Sequence, residues 1–217
     1  TEAACAFGGI LYIEAPRGCT LGKVNVSIEN AIEAPLYKLG ETTGQAWRET
    51  IRLRPAPWGE LATDKIIFTL PSEHLRTLED PRPVLEFWDR VMDASADLAA
   101  IPRQRSSPER FVPDVQISAG YMHSGYPLMC HLPQAADFIH LEKLQKGAWG
   151  FFHEIGHNHQ HRDWTFDGTT EATVNLFTSY VYDTVCGIPP GETKHFNAEG
   201  RAKKIAQFRE NSQTPPF

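Results

Sequence analysis

Residues 151–164 read FFHEIGHNHQHRDW and hold His153, His157, His159 and His161, four of the chain's nine histidines. The fold and the chemistry both turn on this stretch. His153 and His157 are four positions apart, which puts both imidazoles on one face of a helix. Glu154 completes the pattern H-E-x-x-H. Two neutral imidazoles bind zinc and leave coordination positions open, and the glutamate beside the first histidine aims a carboxylate at a metal-held water. Zinc lowers the pKa of such a water to about 7, and the carboxylate takes its proton as the water attacks a carbonyl. A purely structural helix is the rival reading. It would bury His153 and Glu154 behind the apolar WGFF of residues 149–152 without a partner, which is costly.

Two histidines need a third protein ligand. The spacing H-E-x-x-H-x-x-G-x-x-H would require Gly at 160 and His at 163, but those positions hold Gln160 and Asp163. His161 shares the face of His157, yet three ligands along one straight helix spread over two turns and do not close on one ion. His159 points to the opposite side from His157. That leaves a carboxylate from a second helix. Glu171, in TTEATVN, lies fourteen positions past His157, after a Gly-containing turn. Asn175, one turn beyond it, is placed to accept a hydrogen bond from a ligand imidazole. The plain alternative for Glu171 is a first-turn carboxylate that complements the helix dipole.

Outward from this motif the pattern stays helical. Helices are predicted over about 148–159, over Thr169–Val185 and over AEGRAKKIAQFRE (198–210), with Gly187, Pro189 and Pro190 stopping the second. Upstream, FGGILYI, KVNVSIE, KIIFTL and DVQIS read as strands. PVLEFWDRVMDASADLAAI (Pro83–Ile101) reads as a helix, and PRQRSSPERFVP (Pro102–Pro113) as a surface loop. Strands first and helices later indicate an α+β fold in one domain, 1–217, β-rich over 1–135 and helical over 147–210. Whether the chain is a piece of a larger protein stays open.

Composition is ordinary for a globular protein, with 41% hydrophobic and 22% charged residues and a net charge of −6. No basic footprint for nucleic acid is present. The longest apolar run, Ala3–Ile13, is too short to span a bilayer. Thr1 has no charged segment before it, so no signal peptide is visible. Asn25 heads a lone glycosylation sequon, NVS. The four cysteines, Cys5, Cys19, Cys130 and Cys186, show no metal-site spacing. They read either as buried thiols or, for Cys5 and Cys19, as a bridge across an N-terminal hairpin.

ISAGYMHSGYPLM (117–129), WGFFHEIGHNHQ (149–160) and WTFDGTTEATVNLF (164–177) resemble the enhancin-type zinc metallopeptidases, a gluzincin family. The likeness runs from about Phe7 to Val185. One branch consists of secreted bacterial enzymes that cleave mucins and other O-glycosylated proteins. Another comprises animal channel-associated factors, which are not secreted. The resemblance implies His153, His157 and Glu171 as zinc ligands and Glu154 as general base. It also implies a mixed sheet packed on the metal helix, with an edge strand that aligns substrate. His123–Met129, including Tyr126, is the expected edge segment, pairing its backbone with an extended peptide.

The resemblance also implies more helical structure beyond the third ligand than the 46 residues that follow Glu171 here. Tyr180, Tyr182 and His195 are candidates to stabilise an oxyanion, and nothing in the spacing selects one. Trp149 and Trp164 are candidates to stack on a sugar face, with Arg162 and Asp163 bonding its hydroxyls and His123 reaching in from the edge. Packing at the helix junction is the alternative for both tryptophans. The expected function is a zinc endopeptidase acting on protein or glycoprotein. The alternative is a non-proteolytic channel-associated module of the same fold. The compartment follows the branch: extracellular for the first, cytoplasmic for the second.

Overall fold

The structure, a computed structural model, describes residues 9–16, 18–193 and 196–212. A six-stranded mixed sheet forms one layer. Its strands are β1 (Leu36–Lys38), β2 (Trp58–Ala62), β3 (Ile66–Pro71), β4 (Glu109–Asp114), β5 (Met122–His123) and β6 (Leu128–His131), in the order β1-β2-β3-β4-β6-β5. β2 and β3 form an antiparallel hairpin, while β4 runs parallel to both β3 and β6. The two-residue β5 pairs antiparallel with β6 and is one edge of the sheet.

Helices cover the sheet's apolar face. Short helices α1 (Gly44–Glu49) and α2 (Ser72–Thr77) flank the first strands, and α3 (Arg82–Leu98) crosses behind them. α3 forms because its apolar residues recur at helical spacing, so that Val84, Leu85, Trp88, Val91 and Met92 are buried together. Pro83 sits in its first turn, where its missing N–H costs nothing. After α4 (Leu141–Gln145) come α5 (Trp149–His159), α6 (Thr170–Thr184) and α7 (Ala198–Ser212). The core is aromatic. Phe68, Phe87, Trp88, Phe111, Phe138, Phe151 and Phe152 are almost wholly buried. Phe138 and Phe151 stack at 4.3 Å between centroids, and the Trp88 indole N–H donates to the Phe138 carbonyl at 2.9 Å. This seam binds α3 and α5 to the sheet.

The α+β class, the strand at KIIFTL and the three C-terminal helices agree with the sequence reading to within about two residues. Three strand expectations do not. Residues 9–13 of FGGILYI and all of KVNVSIE form no strand and are largely exposed, and Phe7 and Gly8 fall outside the described residues. DVQIS contributes only Asp114. The strand there is Glu109–Asp114, inside what reads as a loop, and its inward positions Glu109, Phe111 and Pro113 alternate with half-buried ones. Pro113, the Pro108 just before the strand and three charges masked that period of two. Cys19 is free and exposed rather than buried, Cys130 is buried and Cys186 half-buried. Cys5 lies outside the described residues, and with it the proposed Cys5–Cys19 bridge.

Candidate metal centre

α5 and α6 pack across each other and carry the site between them. Gly156, inside HEIGH, is why they come so close. A Cβ there would lie 2.9 Å from the Phe177 Cβ and 3.0 Å from a Val174 methyl. Any larger residue pushes α6 away. Glu171 stands in the first turn of α6 and therefore reaches back to the two histidines on α5.

The three donor groups converge. His153 Nε2 lies 3.1 Å from His157 Nε2 and 3.1 Å from Glu171 Oε2, and His157 Nε2 lies 3.5 Å from Glu171 Oε1. A tetrahedral zinc with bonds of about 2.05 Å sets its ligand atoms about 3.3 Å apart. The observed separations bracket that value. These residues are the group of three that could hold a metal ion among the described residues. The imidazoles are largely buried, whereas the Glu171 side chain is 79% exposed, so the site opens to solvent on the carboxylate side.

Hydrogen bonds fix the tautomers. Asn175 Nδ2 donates to the Glu171 carbonyl at 2.7 Å, which leaves its Oδ1 to accept from His153 Nδ1 at 3.2 Å. Gln160 Nε2 donates to the Thr170 carbonyl and the Thr173 hydroxyl, which turns its Oε1 to His157 Nδ1 at 2.7 Å. Each Nδ1 thus carries the proton and each Nε2 offers a lone pair toward Glu171. Asn175 was legible in the sequence. Gln160 was passed over there as a mismatch to another spacing, although a residue three past His157 shares its face.

Glu154 is 8% exposed. Burial pushes its carboxyl pKa up, and the neighbouring His153 and His157 pull against that. A bound dication would pull harder in the same direction as the histidines. His123, on β5, is close enough for its charge to act on Glu154 as well, and its ring is held by Ser118 and the Ser124 carbonyl.

His159 turns away from the site, as its helical position predicts. Its Nδ1 donates to the Ile155 carbonyl and its Nε2 accepts from Arg105. Burial, with Arg105 beside it, lowers its pKa to about 4, so it is neutral. Arg105 also pairs with Glu109, and Glu109 accepts from Asn158 at 2.9 Å. Asn158 in turn bonds both backbone groups of Gly125, accepting from its N–H at 3.0 Å and donating to its carbonyl at 2.9 Å. The chain just past β5 is thereby tied to the residue after His157. Nothing in the spacing of Arg105, Glu109 and Asn158 signals this network, which only the packing of β4 under α5 creates.

The other sequence candidates are not gathered at the metal group. Trp149 packs at the helix junction against Tyr182 and Phe196 at 5.8 and 5.7 Å. Trp164 stacks on Phe177 at 5.7 Å and stays 37% exposed. Asp163 is exposed and faces His161 at 3.3 Å. Tyr126 is 66% exposed. Tyr182 is half-buried beside Phe152, and Tyr180 packs against the core. His195 lies outside the described residues.

Comparison with known proteins agrees with this geometry. Residues 30–214 match the family model for peptidase M60, enhancin and enhancin-like. The chain is 49% identical over 209 residues to the mouse TRPM8 channel-associated factor 2, a match that covers 95% of this chain and 23% of that protein. It therefore spans about a quarter of that relative's length. Among solved structures, a functionally unknown conserved protein from Bacillus anthracis superposes with a TM-score of 0.67 at 24% identity, covering 81% of this chain and 37% of the other. A metallopeptidase from Bacteroides thetaiotaomicron superposes with a TM-score of 0.58 at 19% identity, covering 67% and 26%. At those identities the likeness is one of fold. By its matched residues and its architecture, the chain belongs to the peptidase M60 family, enhancin and enhancin-like.

Proposed function

We propose that the chain is a zinc-holding, peptidase-fold module of a channel-associated protein, and that its work is to engage a partner protein. The observation that carries this reading is the 49% identity to a TRPM8 channel-associated factor over 95% of the chain. The donor set suits zinc. His153 and His157 offer neutral Nε2 lone pairs, Glu171 supplies a hard oxygen, and Asn175 and Gln160 orient the rings. Bound there, zinc would clamp α5 to α6 and supply Lewis acidity at an open coordination position. The edge strand β5 has one unpaired side, and Asn158 fixes the backbone that follows it, so an extended segment of a partner can add to the sheet. On this reading the chain acts in the cytoplasm.

A second reading is a zinc endopeptidase acting on O-glycosylated protein. Glu154 favours it, since a buried carboxylate beside two imidazoles is the proton acceptor hydrolysis needs, and a scaffold has no use for one. The test uses Glu154→Gln, which keeps the fold and the donors. Equal capture of the TRPM8 channel by wild type and Glu154→Gln, with no cut in a glycosylated or a bare mucin peptide, supports the binding module. Cleavage by wild type that disappears in Glu154→Gln establishes the peptidase instead.

A further inference from the structure

Asn158 follows the ligand His157 and is the penultimate residue of α5. Its side chain is fully used. Oδ1 accepts from the Gly125 N–H at 3.0 Å, while Nδ2 donates to the Gly125 carbonyl and to Glu109 Oε2, each at 2.9 Å. The carboxamide therefore bonds Gly125 by donor and acceptor together, as a peptide group of a neighbouring strand would. Glu109, at the start of β4, is buried and paired with Arg105, so the orientation of the carboxamide is set from the sheet side.

The segment it holds has little else to fix it. Gly125 and Tyr126 are exposed, and β5, just before them, has two residues paired with β6 on one side. So short a ladder is marginal by itself. The His123 ring bonds Ser118 and Ser124, which are its own neighbours in sequence. Asn158 supplies the hydrogen bonds that reach this segment from α5.

The other end of the tie is a helix terminus, where fraying begins. His157 lies in the same last turn, His153 one turn back, and Glu171 on α6. With those three donors held on one ion, the turn that carries Asn158 cannot open without releasing it. We infer that Asn158 is a positioning residue for the β5 edge and that it works through the metal group. The edge is held ready for an extended partner segment when the site is filled, and it loosens when the metal is removed. This rests on the reading of the chain as a zinc-holding module that docks a partner at β5, and it names the residue and the condition that control the docking. Both backbone groups of Gly125 are already taken, so an added segment pairs with β5 and stops short of Gly125.

The test measures amide hydrogen exchange by NMR in the folded chain, with zinc and after chelation, in wild type, Asn158→Ala and Asn158→Asp. Asn158→Asp is isosteric and keeps the packing, but its side chain cannot donate to Gly125 or Glu109. Chelator competition checks zinc occupancy, so each chain is read both filled and empty. Met122 and His123 are the reporters, because Asn158 bonds neither. Phe68, buried in β3, reports global opening and should respond alike in all three chains. In wild type, zinc at about a hundred times its Kd should slow the reporters by up to about 100-fold, the factor by which a bound ion suppresses an opening that must release it. In both variants the zinc effect should shrink to less than about threefold, since that opening no longer passes through α5. Equal slowing in the variants, or no slowing in zinc-filled wild type, would overturn the inference and leave the metal group standing. A wild type that takes up no zinc overturns the module reading along with it. Slowing that depends on Asn158, with no capture of the TRPM8 channel, supports the coupling and counts against the module reading alone.

Discussion

Two uncharged side chains, Asn175 and Gln160, decide whether His153 and His157 can act as ligands at all. Each presents a carbonyl oxygen to one Nδ1, and each is locked in that orientation by what its own NH₂ donates to. Without them the rings can rotate or carry the proton on Nε2, the atom that must be free. Removing such an orienting partner commonly costs 10–100-fold in metal affinity. We therefore expect Asn175→Ala and Gln160→Ala each to weaken zinc binding by about that factor in a chelator competition. Glu154→Gln, which removes no ligand and no orienter, should leave affinity within about threefold, since its effect is confined to charge beside the site.

At the scale of elements, the crossing of α5 and α6 is what brings Glu171 to the histidines, and Gly156 sets its closeness. Gly156→Ala has opposing effects. It gains about 1 kcal/mol in helix propensity, but it drives a methyl to within 2.9 Å of Phe177 and 3.0 Å of Val174, whose backbone is also near. Overpacking of this kind costs about 1–3 kcal/mol, so the net effect should be destabilising or near neutral, with the crossing splayed. The urea midpoint should fall modestly while zinc affinity falls more, because Glu171 moves with α6. Equal affinity in Gly156→Ala would show that the crossing is not what positions the carboxylate.

These two helices were legible because a motif fixes their residues and a turn fixes their spacing. Both signals are local. β4 was not legible, because the proline and charges of ERFVPD look like a loop until β3 and β6 are known to lie on either side. The opposite error arose over residues 23–29, where Val24, Val26 and Ile28 alternate as in a strand yet stay 65, 52 and 49% exposed. Alternation predicts a strand only where another strand stands beside it, and none among the described residues does. The site was partly readable for the same reason. The donors follow from spacing along helices, whereas the Arg105–Glu109–Asn158 network depends on a strand the sequence hides.

For the whole molecule, burial sorts the thiols. Desolvation pushes Cys130 up to about 12 and Cys186 up to about 11, while Cys19 is exposed. Only a thiolate alkylates readily. At pH 8 iodoacetamide should label Cys19 first and leave Cys130 untouched until the chain unfolds, as peptide mapping would show. Early labelling of Cys130 would mean that the seam of β6 against β4 opens far more readily than its packing implies. None of these thiols lies in the metal group, and no helix of the described residues is long and apolar enough to cross a membrane. The chemistry of the chain is thus concentrated where α5 meets α6. Zinc K-edge X-ray absorption on the purified chain tests that most directly. The account predicts one zinc per chain with nitrogen and oxygen ligands at about 2.0–2.2 Å, two of them imidazoles, and a two-imidazole signal lost in His153→Ala. A chain that binds no zinc, or one whose zinc shows sulfur at about 2.3 Å, would contradict it.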